Sequence, residues 1–232
     1  MKKPLAHEHQ PVSQRSIRRT STAEPPRLSR RERRKIATRE ALITAAQEVI
    51  AVKGVYLTVI EEITERADVA KGSFYQYFRN RDDLLDALLT RRLEELRMHI
   101  EAMPPPGAFT AGVRTLIGHH LDYFLHHQDF LLFLHQLRGL ITMNQEETLA
   151  VRDAYRRYLG FLAAWLFAHG AQPPEDGPIP EEGACALLGV LTGFLSHYVL
   201  LAPLATLLPY RARIETMLTR ACLAFWQSKE PA

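Results

Sequence analysis

Residues 58–81 read TVIEEITERADVAKGSFYQYFRNR, and two short helical patterns meet in them across a tight turn. Thr58 and Glu61 have the spacing of a capping box, in which the hydroxyl takes a free backbone N–H and the carboxylate reaches back to the cap residue. Ile60, Ile63 and Ala67 recur at helical spacing and give one apolar face, with Glu61, Glu62, Glu65 and Arg66 on the wet side. Asp68, Val69 and Ala70 break the pattern, and Asp is one of the few non-glycine residues that tolerate the left-handed backbone a tight turn often needs. A second pattern starts at Lys71, where Phe74 and Phe78 stand four residues apart and share a face. Both rings are expected to point inward.

The opposite face carries Lys71, Ser73, Tyr75, Gln76 and Tyr77, followed by Arg79 and Arg81. Lys bonds guanine acceptors or phosphate, Gln pairs bidentately with adenine, and Ser and Tyr hydroxyls reach phosphates or base edges. Gly72 sits in the first turn of this helix, where glycine costs up to ~1 kcal/mol relative to alanine. Its missing side chain lets the helix end come close to an anionic backbone. Together these residues have the pattern of a helix-turn-helix that reads DNA.

The wider stretch from Thr38 to Leu89 runs TREALITAAQEVIAVKG, then TVIEEITERADVAKGSFYQYF, then RNRDDLLDALL. It resembles the DNA-binding domain of the TetR/AcrR transcriptional regulators, with Gly54, Thr58, Ile63, Lys71-Gly72-Ser73, Tyr75, Phe78 and the charged turn all in order. The resemblance implies that Lys71, Ser73, Tyr75, Gln76 and Tyr77 face the major groove, with Gly72 among them, and that Thr58 and Arg81 touch phosphates. Three positions depart from the family's usual pattern: Asp68 stands where Gly is usual, Ala70 where Ser or Thr commonly caps the helix, and Thr64 where Ala is usual.

Charge is divided unevenly. Residues 1–35 hold eleven Lys or Arg against three acids, while the remainder carries eighteen against twenty-three, so a net +8 arm precedes a net −5 body. The arm is poor in apolar residues and is expected to be disordered. Such basic arms commonly track DNA phosphates or enter the minor groove, although a solvated extension without function has the same composition. Charge division and the resemblance together imply a basic arm over 1–35, a helix-turn-helix domain over 36–82 and, from the resemblance, a helical ligand-binding and dimerisation domain over 83–232. Arg18-Arg19 is followed by no apolar stretch of the kind an export signal needs, so a cytoplasmic location is expected. Cys185 and Cys222 have neither metal-ligand nor redox spacing.

Beyond residue 82 the chain reads as helices, giving an all-α fold. Pro104-Pro105-Pro106-Gly107 and the segment 172–180, QPPEDGPIP, are the clear breaks. Val113, Ile117, His120, Phe124 and His127 form one helical stripe, and Tyr155, Tyr158, Leu162, Trp165 and His169 another. With Phe133, Leu134, Leu137 and Met143 they describe an apolar, aromatic interior with a few polar tips, the usual lining of a ligand pocket between helices. Plain core packing accounts for the same pattern at any one of them. The resemblance implies that a small-molecule effector binds in this region. His119, His120, His126 and His127, with Asp122 and Asp129, invite a metal reading, but a zinc site needs three or four converging ligands and the spacing does not establish one. Neither a phosphate loop nor a nucleophile elbow is present, so no catalytic residue, metal or cofactor is assigned and the chain is not read as an enzyme.

From Gly183 to Pro209 there is no formally charged residue, a run long enough to span a bilayer. Pro203 and Pro209 interrupt it, and the stripe Ile214, Leu218, Cys222 and Phe225 in the next helix offers a partner that a helical bundle would bury. No membrane association is expected. In the resembled family the last two helices pair with their copies in a second subunit. That implies an interface at Leu188, Gly189 and Gly193 with Leu218, Cys222 and Phe225, the two glycines allowing close approach. The partners expected are double-stranded DNA, a small-molecule effector and a second copy of the chain. A repressor released from a palindromic operator by an apolar or aromatic compound is the reading, and an activator of the same fold is the alternative.

Overall fold

In the computed structural model, residues 29–104, 107–143, 149–169 and 180–227 are described. Among them the chain forms nine α-helices, one 3-10 segment and no strand. The first helix, α1, spans Arg30–Lys53. Ser29 caps it: the Glu32 backbone N–H donates to the Ser29 hydroxyl at 3.2 Å, and the Ser29 N–H donates to the Glu32 carboxylate at 2.8 Å. The helix thus begins six residues before the boundary expected at 35/36, because Ser29 and Glu32 supply the capping box that terminates the arm. The rest of the arm, 1–28, lies outside the described residues.

Helix α1 ends at Gly54, whose φ of 78° suits a residue without a side chain. Helices α2 (Ile60–Arg66) and α3 (Lys71–Phe74) follow, and α4 (Arg81–Glu101) starts from an Asn80 cap whose side chain accepts from the Asp83 N–H at 2.9 Å. The expected boundary at 82/83 falls inside α4, which packs on both α1 and α7. The body continues with α5 (Phe109–His126), α6 (Gln128–Met143), α7 (Leu149–Ala168), α8 (Pro180–Tyr198), a 3-10 segment (Leu204–Tyr210) and α9 (Arg211–Gln227).

Packing follows the apolar stripes. Helix α7 lies between α4 and α8, and α9 packs on α5 and α8. One buried core runs from Leu42 and Ile43 of α1 through Leu84 and Leu88 of α4 to Leu191 of α8, so the small N-terminal unit shares its interior with the body. Where α5 turns into α6 at His127, the rings of Phe124 and Phe130 stack at 5.9 Å and Phe130 stacks on Phe133 at 6.2 Å. No helix among the described residues is long and apolar enough to cross a membrane, since the uncharged run from Gly183 to Pro209 breaks at Tyr198 and re-forms as the 3-10 segment.

Candidate nucleic-acid interface and body sites

The turn between α2 and α3 is built on Asp68, whose φ is 54°. Its N–H donates to the Glu65 carbonyl at 3.1 Å and the Val69 N–H donates to the Thr64 carbonyl at 3.0 Å. This is a Schellman closure with Asp in the position glycine usually fills. Thr64 is fully accommodated as well: buried, it donates its hydroxyl to the Ile60 and Glu61 carbonyls one turn back. Ala70 caps α3 without a side-chain hydrogen bond. Only one α-turn forms, and it continues in tighter steps as the Gln76 N–H reaches the Ser73 carbonyl and the Tyr77 N–H the Phe74 carbonyl.

Phe74 and Phe78 are buried, with ring centroids 5.5 Å apart. They anchor a face on which Lys71, Gly72, Tyr75 and Gln76 are exposed and Ser73 is half-buried. Nothing stands within 4 Å of where a Gly72 side chain would begin, so the approach to this turn is open. Tyr77 does not join the exposed group: it is half-buried and packs against the core. The i→i+3 bond from the Tyr77 N–H to the Phe74 carbonyl marks tighter winding, in which residues three apart eclipse, so Tyr77 lies over the buried Phe74.

Two expected contacts are placed differently from the sequence reading. Thr58 does not cap α2. Val59 occupies the cap position without a side-chain bond, while Thr58 is buried and donates its hydroxyl to the Gly54 carbonyl at 2.7 Å. The end of α1 leaves that carbonyl in need of a donor, and the Thr58 hydroxyl supplies it. Its expected partner Glu61 pairs instead with the Lys71 ammonium. Arg81 spreads one guanidinium nitrogen over the Val55 and Thr58 carbonyls, each at 3.4 Å, and so braces the α1–α2 loop.

The cations of this unit are largely occupied. Lys71 pairs with Glu61, Lys53 with Glu62, Arg66 with Glu48 and Arg79 with Asp83. The hydrogen bond to Lys71 holds the Glu61 carboxyl below the usual carboxylate range and holds the Lys71 ammonium above the usual lysine value.

The expected effector residues separate into several places. His120 and Tyr158 meet in the core: His120 Nδ1 lies 2.7 Å from the Leu116 carbonyl and its Nε2 lies 2.8 Å from the Tyr158 hydroxyl. A carbonyl can only accept, so Nδ1 carries the proton and Tyr158 donates to Nε2. Burial pushes the His120 pKa down to about 4. Leu162 is buried, while Phe124 and Phe133 belong to the stacked rings where α5 turns into α6. His127, on that same turn, lies 4.5 Å from the Tyr123 ring. Trp165 stacks on His169 at 4.0 Å and faces an open cleft of about 300 Å³. The Met143 side chain lies outside the described residues. Leu137 lines a small apolar cavity of about 50 Å³ with Leu89, Leu134, Ile141 and Val151, where Arg138 and Tyr155 supply the polar groups. Leu89, Arg138 and Val151 had no sequence signal, since the cavity is formed by three helices meeting and not by one stripe. Among the described residues there is no group of three or more potential metal ligands.

The expected interface residues also divide. Nothing stands within 4 Å of where a side chain at Gly189 or Gly193 would begin, so the two glycines lie on an open face of α8. Leu188, Leu218 and Cys222 are buried within the protomer and fill the seam between α8, α9 and the body. They are corrected to core residues: the apolar stripe of each helix is used internally, while α8 leaves Gly189 and Gly193 outward. The Phe225 side chain lies outside the described residues.

Residues 42–88 match the family described as bacterial regulatory proteins, tetR family. The Transposon Tn10 TetC protein of Escherichia coli is 25% identical over 161 residues, covering 69% of this chain and 78% of that protein. The fatty acid metabolism regulator protein of Bacillus subtilis is 35% identical over 60 residues, 26% of this chain and 31% of that protein. The crystal structure of a transcriptional regulator FadR from Bacillus subtilis in complex with stearoyl-CoA superposes with a TM-score of 0.58 at 18% identity, covering 80% of this chain and 97% of that one.

Proposed function

The chain belongs to the TetR family of bacterial transcriptional regulators, and we propose that it works as a two-fold dimer repressing transcription from a palindromic operator until an apolar or aromatic compound enters its body. The observation that carries the DNA reading is the face of Lys71, Ser73, Tyr75 and Gln76 standing on buried Phe74 and Phe78. Gln76 offers bidentate pairing to adenine and Lys71 an ammonium to guanine or phosphate. Gly189 and Gly193 provide the close approach of α8 to its copy. Two such protomers present their recognition turns to half-sites about 34–36 Å apart.

The effector enters between α4, α6 and α7. Their cavity of about 50 Å³ is small beside the roughly 300–1,000 Å³ of ordinary ligand pockets. A ligand of that size therefore pushes the three helices apart. Because α4 begins at Arg81, which holds the Val55 and Thr58 carbonyls, its displacement is passed directly to the recognition unit. Bound and free states then differ in operator affinity by the ligand's differential affinity for them. Stearoyl-CoA, held by the structural neighbour, makes long-chain acyl thioesters an early class to test beside simple aromatics.

Duplex fragments selected from genomic DNA by the purified protein supply the operator. Lys71→Ala and Gln76→Ala are each expected to lower affinity for it about tenfold or more, in line with the roughly 1–3 kcal/mol of a good bidentate base contact, with the sedimentation of the dimer unchanged. Unaltered affinity in both variants would overturn the assignment of the recognition face. An effector is expected to raise the thermal midpoint and release the DNA, whereas a ligand that tightens the complex would make the protein ligand-activated for binding.

A further inference from the structure

The helix-turn-helix unit is electrostatically poor. Residues 36–82 hold six Lys or Arg against seven acids, and Lys53, Arg66, Lys71 and Arg79 each have a carboxylate partner. A protein that holds a polyanion draws most of its non-specific affinity from cations that displace counterions. Those cations have to come from elsewhere in the chain.

The first turns of α1 supply them. Arg30, Arg31, Arg33, Arg34 and Lys35 are all exposed. Among the described residues none of the five has an ion-pair partner, and the single acid in the run, Glu32, is occupied with Ser29. Five cations at a helix N-terminus oppose the helix dipole, and the capping box holds the helix there regardless.

The position of this patch is fixed at both ends of α1. Near its C-terminal end, Gln47 donates to Asp129 of α6 at 3.1 Å and the Val55 N–H donates to the Gln136 side chain, so that end faces the body. Further towards the N-terminus, the Arg39 guanidinium lies 5.2 Å over the ring of Phe78, which closes the recognition turn. Residues 30–35 therefore extend past that contact, away from the body, by about 6–14 Å at ~1.5 Å per residue. That reach is comparable with the roughly 12 Å width of a major groove.

We infer that the helical segment Arg30–Lys35 binds the DNA phosphate backbone beside each half-site and supplies most of the salt-dependent affinity, leaving the recognition turn to discriminate bases. Glu61 is the complementary device: by holding Lys71 it weakens the attraction of that turn for any phosphate, so the turn engages only where base contacts displace the pair. This inference rests on the DNA-binding reading above.

The test uses the full chain, a 30-base-pair duplex that it selects and a duplex of scrambled sequence, with affinity measured from about 50 to 300 mM salt. The variant carrying Arg30→Gln, Arg31→Gln, Arg33→Gln, Arg34→Gln and Lys35→Gln is checked for unchanged helix content and dimer. At ~0.9 per neutralised phosphate, with up to ten cations lost per dimer, the log–log salt slope is expected to become shallower by about 4 to 9. Affinity for both duplexes should fall together, with their ratio preserved. Glu61→Gln is expected to tighten the scrambled duplex more than the selected one. If the full chain selects no duplex, the DNA-binding reading itself fails. If it selects one and the five-fold variant keeps the parental slope, the inference about residues 30–35 is overturned while that reading stands.

Discussion

His120 is the residue whose chemistry is most constrained by its surroundings. It is buried, keeps its proton on Nδ1 for the Leu116 carbonyl and accepts from Tyr158. Its folded pKa of about 4 lies below the ordinary histidine value of 6.5. The unfolded chain therefore binds the extra proton first as pH falls. The stability held by the neutral ring is complete above about pH 6.5 and is lost as pH falls towards 4, to an upper limit of about 3 kcal/mol at ~1.36 kcal/mol per pKa unit. Urea unfolding of the parent and of His120→Gln across pH 4–7 checks this, since the variant should lose that part of the pH dependence; parallel profiles would contradict it. At the same scale, Asp68 is legible in the sequence because few residue types accept a left-handed turn. Thr58 is not: its spacing to Glu61 is that of a capping box, and only the folded end of α1 shows that the Gly54 carbonyl takes the hydroxyl instead.

Helix α8 shows how much an element discloses and where it stops. An uncharged run with GxxxG spacing marks a helix buried on more than one side, and the structure leaves Gly189 and Gly193 on the open face while Leu187, Leu188, Leu191 and Leu195 fill the core. Periodicity gives the stripe, but a helix apolar all round has no unique inward direction until its neighbours are placed. That is why the interface implied by the resemblance includes Leu188, Leu218 and Cys222, which are buried within the protomer. Substituting the outward glycines should separate assembly from folding. Gly189→Leu with Gly193→Leu meets open space in the protomer, so helix content and thermal unfolding of the monomer should persist while sedimentation shows dimer loss and operator affinity drops by at least tenfold. A variant that remains dimeric with full affinity would place the interface elsewhere.

At the level of the whole molecule, the N-terminal unit and the body are joined by a polar cluster that no single-helix pattern discloses. The buried Arg92 guanidinium pairs with Asp129 at 3.1 Å and Glu95 at 3.2 Å, while Gln47 of α1 donates to the same Asp129. Arg91 adds a second strap through Gln47 at 2.7 Å. Each residue is an ordinary surface type in its own helix, and the cluster exists only because α1, α4 and α6 converge. Arg92→Ala leaves two carboxylates facing an apolar neighbourhood of Phe130 and Tyr123 and should lower stability by about 2–3 kcal/mol, read as a shift of the urea midpoint. That is below the usual range for a buried pair because Asp129 remains 30% exposed. The helix-turn-helix and the all-helical body are readable from local patterns, whereas this junction and the cavity beside Leu137 depend on contacts between helices distant in sequence.

The junction ends in a small fitted contact. Tyr56, in the loop after α1, donates its hydroxyl to the Gln136 carbonyl at 3.3 Å, and a side chain begun at Gly139 would stand 2.5 Å from that oxygen. The DNA-reading unit is therefore keyed to its own body and is not an interchangeable head. A hybrid that grafts residues 29–80 onto another regulator's sensor would keep its operator preference but lose its response to ligand, unless Arg81, Gln136 and Gly139 travel with the graft.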